Sequence, residues 1–112
     1  MTPDAFRAMA LHFSGAIEGA HMNHPDFRVR GKIFATLGHP NKAFAAIMLT
    51  PAEQAEFVKE GSGAFAPVKG GWGLNGSTSV RLQPADPELV KKALAAAWAR
   101  KSSAQVRRRS PK

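Results

Sequence analysis

Between Ile17 and Leu49 four strand-like segments, 17–23, 26–30, 32–37 and 44–49, follow one another with no helical sequence between them. Strands joined without an intervening helix pair antiparallel, because a parallel pair needs a crossover of about a dozen residues. Three helices surround this block, and each announces itself by a cap residue followed by proline, whose missing N–H is harmless in the first turn. Thr2-Pro3 opens a helix with Phe6, Met9, Ala10 and Phe13 on one stripe, and Thr50-Pro51 opens a second with Glu53 placed for a capping box. Asp86-Pro87 opens the third, in which Leu89, Val90, Ala93, Leu94, Ala97 and Trp98 recur at helical spacing and Glu88 and Lys92 form an i,i+4 pair. The segment 39–42 (His-Pro-Asn-Lys) reads as a turn, and Ser77–Leu82 as a further strand after a Gly/Pro-rich stretch. The order predicts an α+β domain of two layers, an antiparallel sheet with helices packed on one face.

A chain of 112 residues supports one hydrophobic core. There is no cysteine, which excludes disulfides, thiolate metal sites and Cys nucleophiles. The longest apolar run, Ala43–Leu49, is seven residues, against the ~20 that a bilayer requires. No signal peptide is recognisable, so a soluble cytoplasmic protein is expected. The net charge of +8 is unevenly placed: Arg100, Lys101, Arg107, Arg108, Arg109 and Lys112 face no acid, whereas residues 1–99 carry only +2. The division expected is a folded body over 1–101 and a basic disordered tail over 102–112.

The tail would bind a polyanion by counterion release, and Arg107, Arg108 and Arg109 are its candidate contacts. In the body, Arg28, Arg30 and Lys32 surround Gly31 in "HPDFRVRGKIFATL". With Gly31-Lys32 as a type II′ turn, Phe27, Val29 and Phe34 share one face and the arginines project from the other. Ile33 and Leu37 then fall on the cationic face, so either the ribbon contains a bulge or that face is covered. Such a ribbon can grip phosphates; the same cations would equally keep a wet sheet face soluble and discourage edge pairing.

The remaining motifs carry less chemistry. His21 and His24 are three apart in a segment read as a strand, where i and i+3 face opposite ways, and with His12 and His39 elsewhere no metal site is expected. "GWGLNG", residues 71–76, has the letters of a dinucleotide fingerprint but is followed by a strand rather than a helix. It reads as a glycine-rich bend around a packed Trp72, with amides that could form an anion nest beside Lys69 and Arg81. Ser77, Thr78 and Ser79 adjoin no evident base, and no enzyme signature or cofactor motif is present.

The blocks "HPDFRVRGKIFATL", "LTPAEQAEFV", "FAPVKGGWGLNGSTSVRL" and "LVKKALAAAWA" resemble, in order and spacing, the MmcQ/YjbR family of small proteins labelled DNA-binding, over about Phe6 to Arg100. The resemblance implies a two-layer α+β fold similar to that of secretion chaperones. It carries over as patterned residues Phe27, Gly31, Lys32, Phe34, Pro67, Gly71, Trp72, Gly73, Gly76, Thr78 and Leu82. Relatives often have a basic residue after the Trp-Gly pair, where this chain has Leu74-Asn75.

The leading expectation is a non-enzymatic protein that binds DNA largely without sequence preference through Arg28, Arg30, Lys32, Lys69, Arg81 and the tail arginines. Two alternatives stand beside it. One is a protein-interaction adapter using an exposed sheet face. The other is small-molecule binding at the loop of Trp72, Gly73, Gly76 and Thr78, which requires a concave pocket with convergent polar groups.

Overall fold

Six antiparallel strands form one sheet in the computed structural model, which describes residues 1–38 and 41–109, with only the backbone given over 104–109. The strands are β1 (Ile17–His21), β2 (His24–Val29), β3 (Lys32–Leu37), β4 (Phe44–Met48), β5 (Phe65–Pro67) and β6 (Ser77–Arg81), in the order β1-β2-β3-β4-β6-β5. The helices are α1 (Pro3–Leu11), α2 (Pro51–Glu60), a single turn α3 (Gly71–Leu74), and α4 (Pro87–Arg109). Both threonine starts behave as their sequences require. The Thr2 hydroxyl accepts from the Ala5 N–H, and Thr50 and Glu53 form the reciprocal capping box. Among the described residues no helix is long and apolar enough to cross a membrane.

One row of cross-strand partners explains the core. Phe27 pairs with Ala35, Ala35 with Ile47 and Ile47 with Thr78, and all four are fully buried. Partners share a face, so this row, with Val29, Leu37, Ala45, Phe65 and Val80, meets the helices. Helix α4 lies on β2, β3 and β4 through Leu89, Val90, Ala93, Leu94 and Ala97, while α2 sits by β5 with Phe57 stacked on Phe65. Trp98 stacks on Phe13 and donates its indole N–H to the Ser14 carbonyl.

The structure corrects the expected ribbon in one respect and settles its register in another. The turn is Arg30-Gly31, one residue earlier than expected, because Val29 pairs with Lys32 and both turn residues have positive φ, 53° and 77°. This is the type I′ pattern, which suits the right-handed twist of the strands. The anticipated bulge is present: Phe27 pairs with Ala35 and Arg28 with Ile33, leaving Phe34 as the extra residue. It returns Phe34 and Leu37 to the core and leaves Ile33 on the other side.

A second two-residue turn, Met22-Asn23, also with positive φ, divides what the sequence suggests is one strand over 17–23. At the other end, α4 continues through Arg109, over residues expected to be a disordered tail. No proline or glycine interrupts the chain before Pro111, and the Ser102 and Ser103 hydroxyls bond back to the Ala99 carbonyl. His39 and Pro40 of the expected turn, and Ser110–Lys112, lie outside the described residues.

Candidate functional site

The sheet face opposite the helices is defined by a second row of partners, Asp26 with Thr36, Thr36 with Ala46, and Ala46 with Ser79. A cleft of about 640 Å³ crosses this face. Its floor is Ile33, Thr36, Ala46, Met48 and Ser77; Val68 and Trp72 wall one side, His21, Met22 and His24 the other, and Lys101 of α4 joins it. Met22 and Trp72 are 85% and 72% exposed, a large apolar surface left to solvent around a concavity.

Beside the cleft, Asp26 is fully buried and pays for its desolvation with ideal partners. Arg28 grips it with two bonds, Nε to Oδ1 at 2.7 Å and a terminal nitrogen to Oδ2 at 3.0 Å, and His21 Nδ1 lies 2.8 Å from Oδ2. Gly19, the cross-strand partner of Asp26, leaves room for this cluster: a Cβ there would come within 3.0 Å of Oδ1 and 3.1 Å of Arg28 Nε. The Arg28 hydrogen bond holds the Asp26 carboxyl below the usual range, against the opposing effect of burial and with help from His21. His21 and His24 are directly paired across the Met22-Asn23 turn and share a face, contrary to the single-strand reading.

The three ribbon cations are not brought together. Arg28 is committed to Asp26, Arg30 sits exposed at the turn, and Lys32, paired with Val29, lies on the helical side. Lys69 and Arg81 are exposed but far apart, since Arg81 ends β6 while Lys69 precedes α3 at its start, ~13 Å along the strand. The side chains of Arg107, Arg108 and Arg109 lie outside the described residues.

The glycine-rich loop inverts its expected roles. Trp72 is exposed rather than packed, and the glycines beside it carry the packing. A Cβ on Gly73 would lie 1.7 Å from the Val68 carbonyl oxygen, and one on Gly76, whose φ is +108°, would lie 2.0 Å from that of Leu49. Gln54 of α2 donates to the Gly73 and Ser77 carbonyls and pins the loop to the helix. Thr78 is buried on the core side, its hydroxyl donating to the Gly76 carbonyl. Of the loop amides, those of Gly73, Leu74, Asn75 and Gly76 are spent on carbonyls of the same loop and add nothing to the expected anion nest. Of the four loop residues expected to meet a ligand, only Trp72 reaches the cleft.

In the second half of α4, Arg100 pairs with Glu53 at 2.7 Å and donates to the Met48 carbonyl, joining the helix to the α2 capping box. Lys101, one residue on, reaches the cleft. Its pKa is lowered by burial and then by the nearby charges of Arg100 and Lys32. Sequence reasoning missed Met22, Ile33, Met48, Val68 and Lys101 as cleft residues. The alternation of β4 (Ala46 and Met48 on one face, Ala45 and Ile47 on the other) carries part of that signal; the Met22 turn and the reach of Lys101 have none.

A family model described as YjbR matches residues 11–100. The fold is similar to that in the crystal structure of Deinococcus radiodurans protein DR2400, whose domain is described as DUF419, with a TM-score of 0.69 at 16% identity, covering 87% of this chain and 75% of that one. A search of curated proteins found no match.

Proposed function

This chain belongs to the YjbR family, and from that premise we propose that it is a non-enzymatic binding protein whose site is the apolar cleft on the uncovered sheet face. The observation that carries this reading is the pairing of a concavity of about 640 Å³ with an exposed Trp72 on a rigid frame. A volume of that order suits a small molecule, and apolar walls with a few polar groups are the usual composition of such sites.

Two polar groups of the cleft, Ser77 and His21, are not set as a nucleophile and its base. The Ser77 hydroxyl is turned to the Met48 sulfur at 3.5 Å. The oriented histidine, His21, is on β1, four strand spacings from β6, or ~19 Å. A nucleophile and base must be within hydrogen-bond reach.

Naphthol, an apolar ring with one small polar group, tests the reading in a protein with isotope-labelled methionine methyl groups. The Met48 methyl, with or without that of Met22, is expected to shift at millimolar naphthol, while Met1 and Met9, packed against the helical core, stay in place. No shift at Met48 or Met22, or equal shifts at all four, refutes it.

A second reading, largely nonspecific binding of DNA, is favoured by one observation: Lys32 and Arg100 both lie close enough to Lys101 for their charges to act on it. It predicts that a labelled duplex binds with an affinity that falls steeply with salt and weakens when Arg107, Arg108 and Arg109 are replaced by Ala. Salt-insensitive or undetectable duplex binding refutes it.

A further inference from the structure

The cleft contains a cation with no acid to match it. Lys101 makes no ion pair or hydrogen bond with another described residue, and no carboxylate is among the described residues that line the cleft. Asp26, an acid under this face, has both oxygens taken by Arg28 and His21. Glu53 is taken by Arg100, so it cannot serve Lys101. Partial burial and two neighbouring cations already disfavour the charged ammonium, and an anion delivered into the cleft would relieve that directly.

The surroundings narrow the anion. Among the described residues that line the cleft, Lys101 is the one ammonium, and the neighbouring Arg100 guanidinium fork, the natural partner of a phosphate, is spent on Glu53 and the Met48 carbonyl. Four of the loop amides that might have held a phosphate, those of Gly73, Leu74, Asn75 and Gly76, are likewise engaged. Ile33, Met48, Val68 and Trp72, with Ser77, give the cleft an apolar or uncharged lining around Lys101. A flat ring can lie against the exposed face of Trp72, in the offset arrangement aromatic pairs prefer.

Resting on the reading of the cleft as a ligand site, we propose that it takes a small molecule with a flat apolar body and a single carboxylate, the body between Trp72 and the Ile33–Met48 floor and the carboxylate on Lys101. A nucleic acid satisfies the charge but not the apolar concavity.

The test compares naphthoate with its neutral isostere naphthamide, by calorimetry, on the parent and on Lys101→Met, which keeps the length of the side chain and removes its charge. Naphthoate is expected to bind about tenfold more tightly than naphthamide to the parent, as a partly desolvated ion pair allows. In Lys101→Met the two should bind within about twofold of each other, with naphthamide unchanged and the melting temperature not lowered, because a repelled charge has been removed. Equal affinities in the parent, a preference that survives Lys101→Met, or tighter binding of naphthyl phosphate than of naphthoate overturns the proposal. Failure of the cleft reading itself looks different: naphthol then leaves Met48 and Met22 unmoved.

Discussion

Replacing Gly73 by Ala adds one methyl group to a place with no room for it. The new Cβ would stand 1.7 Å from the Val68 carbonyl oxygen, and reaching even 3.0 Å requires the two backbones to separate by 1.3 Å. Neither can swing aside as a side chain would. Val68 is held to Ser77 by its N–H at 3.0 Å, and the Gly73 carbonyl is held by Gln54 at 3.0 Å. A displacement of that size takes both bonds beyond useful length, at about 1–2 kcal/mol each when the groups are left part-buried. The smaller entropy of an alanine in the unfolded chain returns less than ~1 kcal/mol. The net expectation is a loss of about 2–3 kcal/mol, which for a domain of this size lowers the melting temperature by on the order of 10–15 °C. Thermal unfolding followed by far-ultraviolet circular dichroism measures it. The control is Gly71→Ala, where a Cβ meets nothing within 4 Å, and which should be neutral or slightly stabilising. A Gly73→Ala melt within about 2 °C of the parent would refute the packing account of the loop.

Two further predictions concern charged groups. Because the folded Asp26 carboxyl titrates below its unfolded value, its stabilisation is present above about pH 4 and lost as the pH falls through the folded value. The urea midpoint of Asp26→Asn should therefore fall less than that of the parent on acidification from about pH 5 to about pH 2.5; parallel declines would show that the cluster contributes nothing. Glu53→Ala removes both the acceptor for the Thr50 N–H and the partner of Arg100, and should cost about 1–2 kcal/mol in urea unfolding. Glu53→Gln keeps the cap and should cost less than half as much, so equal losses would assign the effect to the ion pair alone.

The parts of this fold that were legible in the sequence are those set by local chemistry. Thr2, Thr50 and the residues after them start helices by hydrogen bonds within one turn, and the apolar period of 89–97 identifies the buried face of α4. Even the bulge near Gly31 is one of the two outcomes that a conflict visible in the alternation allows, although the turn itself lies one residue earlier than the alternation suggests. What could not be read were facts that depend on distant partners. Arg28 looks like a projecting cation until Asp26 is seen beneath it, two residues away on the same face. His21 and His24 look opposed until a turn is placed between them. Val68 and Lys101 enter the cleft from a loop and from a helix that no local rule aims there.

The "GWG" triplet shows how such a misreading can bear on function. A tryptophan in a glycine-rich segment is most simply a core anchor with flexible neighbours, since burial of an indole is strongly favourable. Here the flexibility is removed: Gly73 is wedged against the Val68 carbonyl, Gly76 against the Leu49 carbonyl, and Gln54 ties the loop to α2. The frame is thus fixed by backbone contacts that do not involve the indole, which leaves Trp72 free to face the cleft without supporting the fold. A ring presented on a rigid support loses little conformational freedom when it meets a ligand, and affinity rises accordingly. In this fold the glycines therefore do the holding and the tryptophan is the residue available for contact.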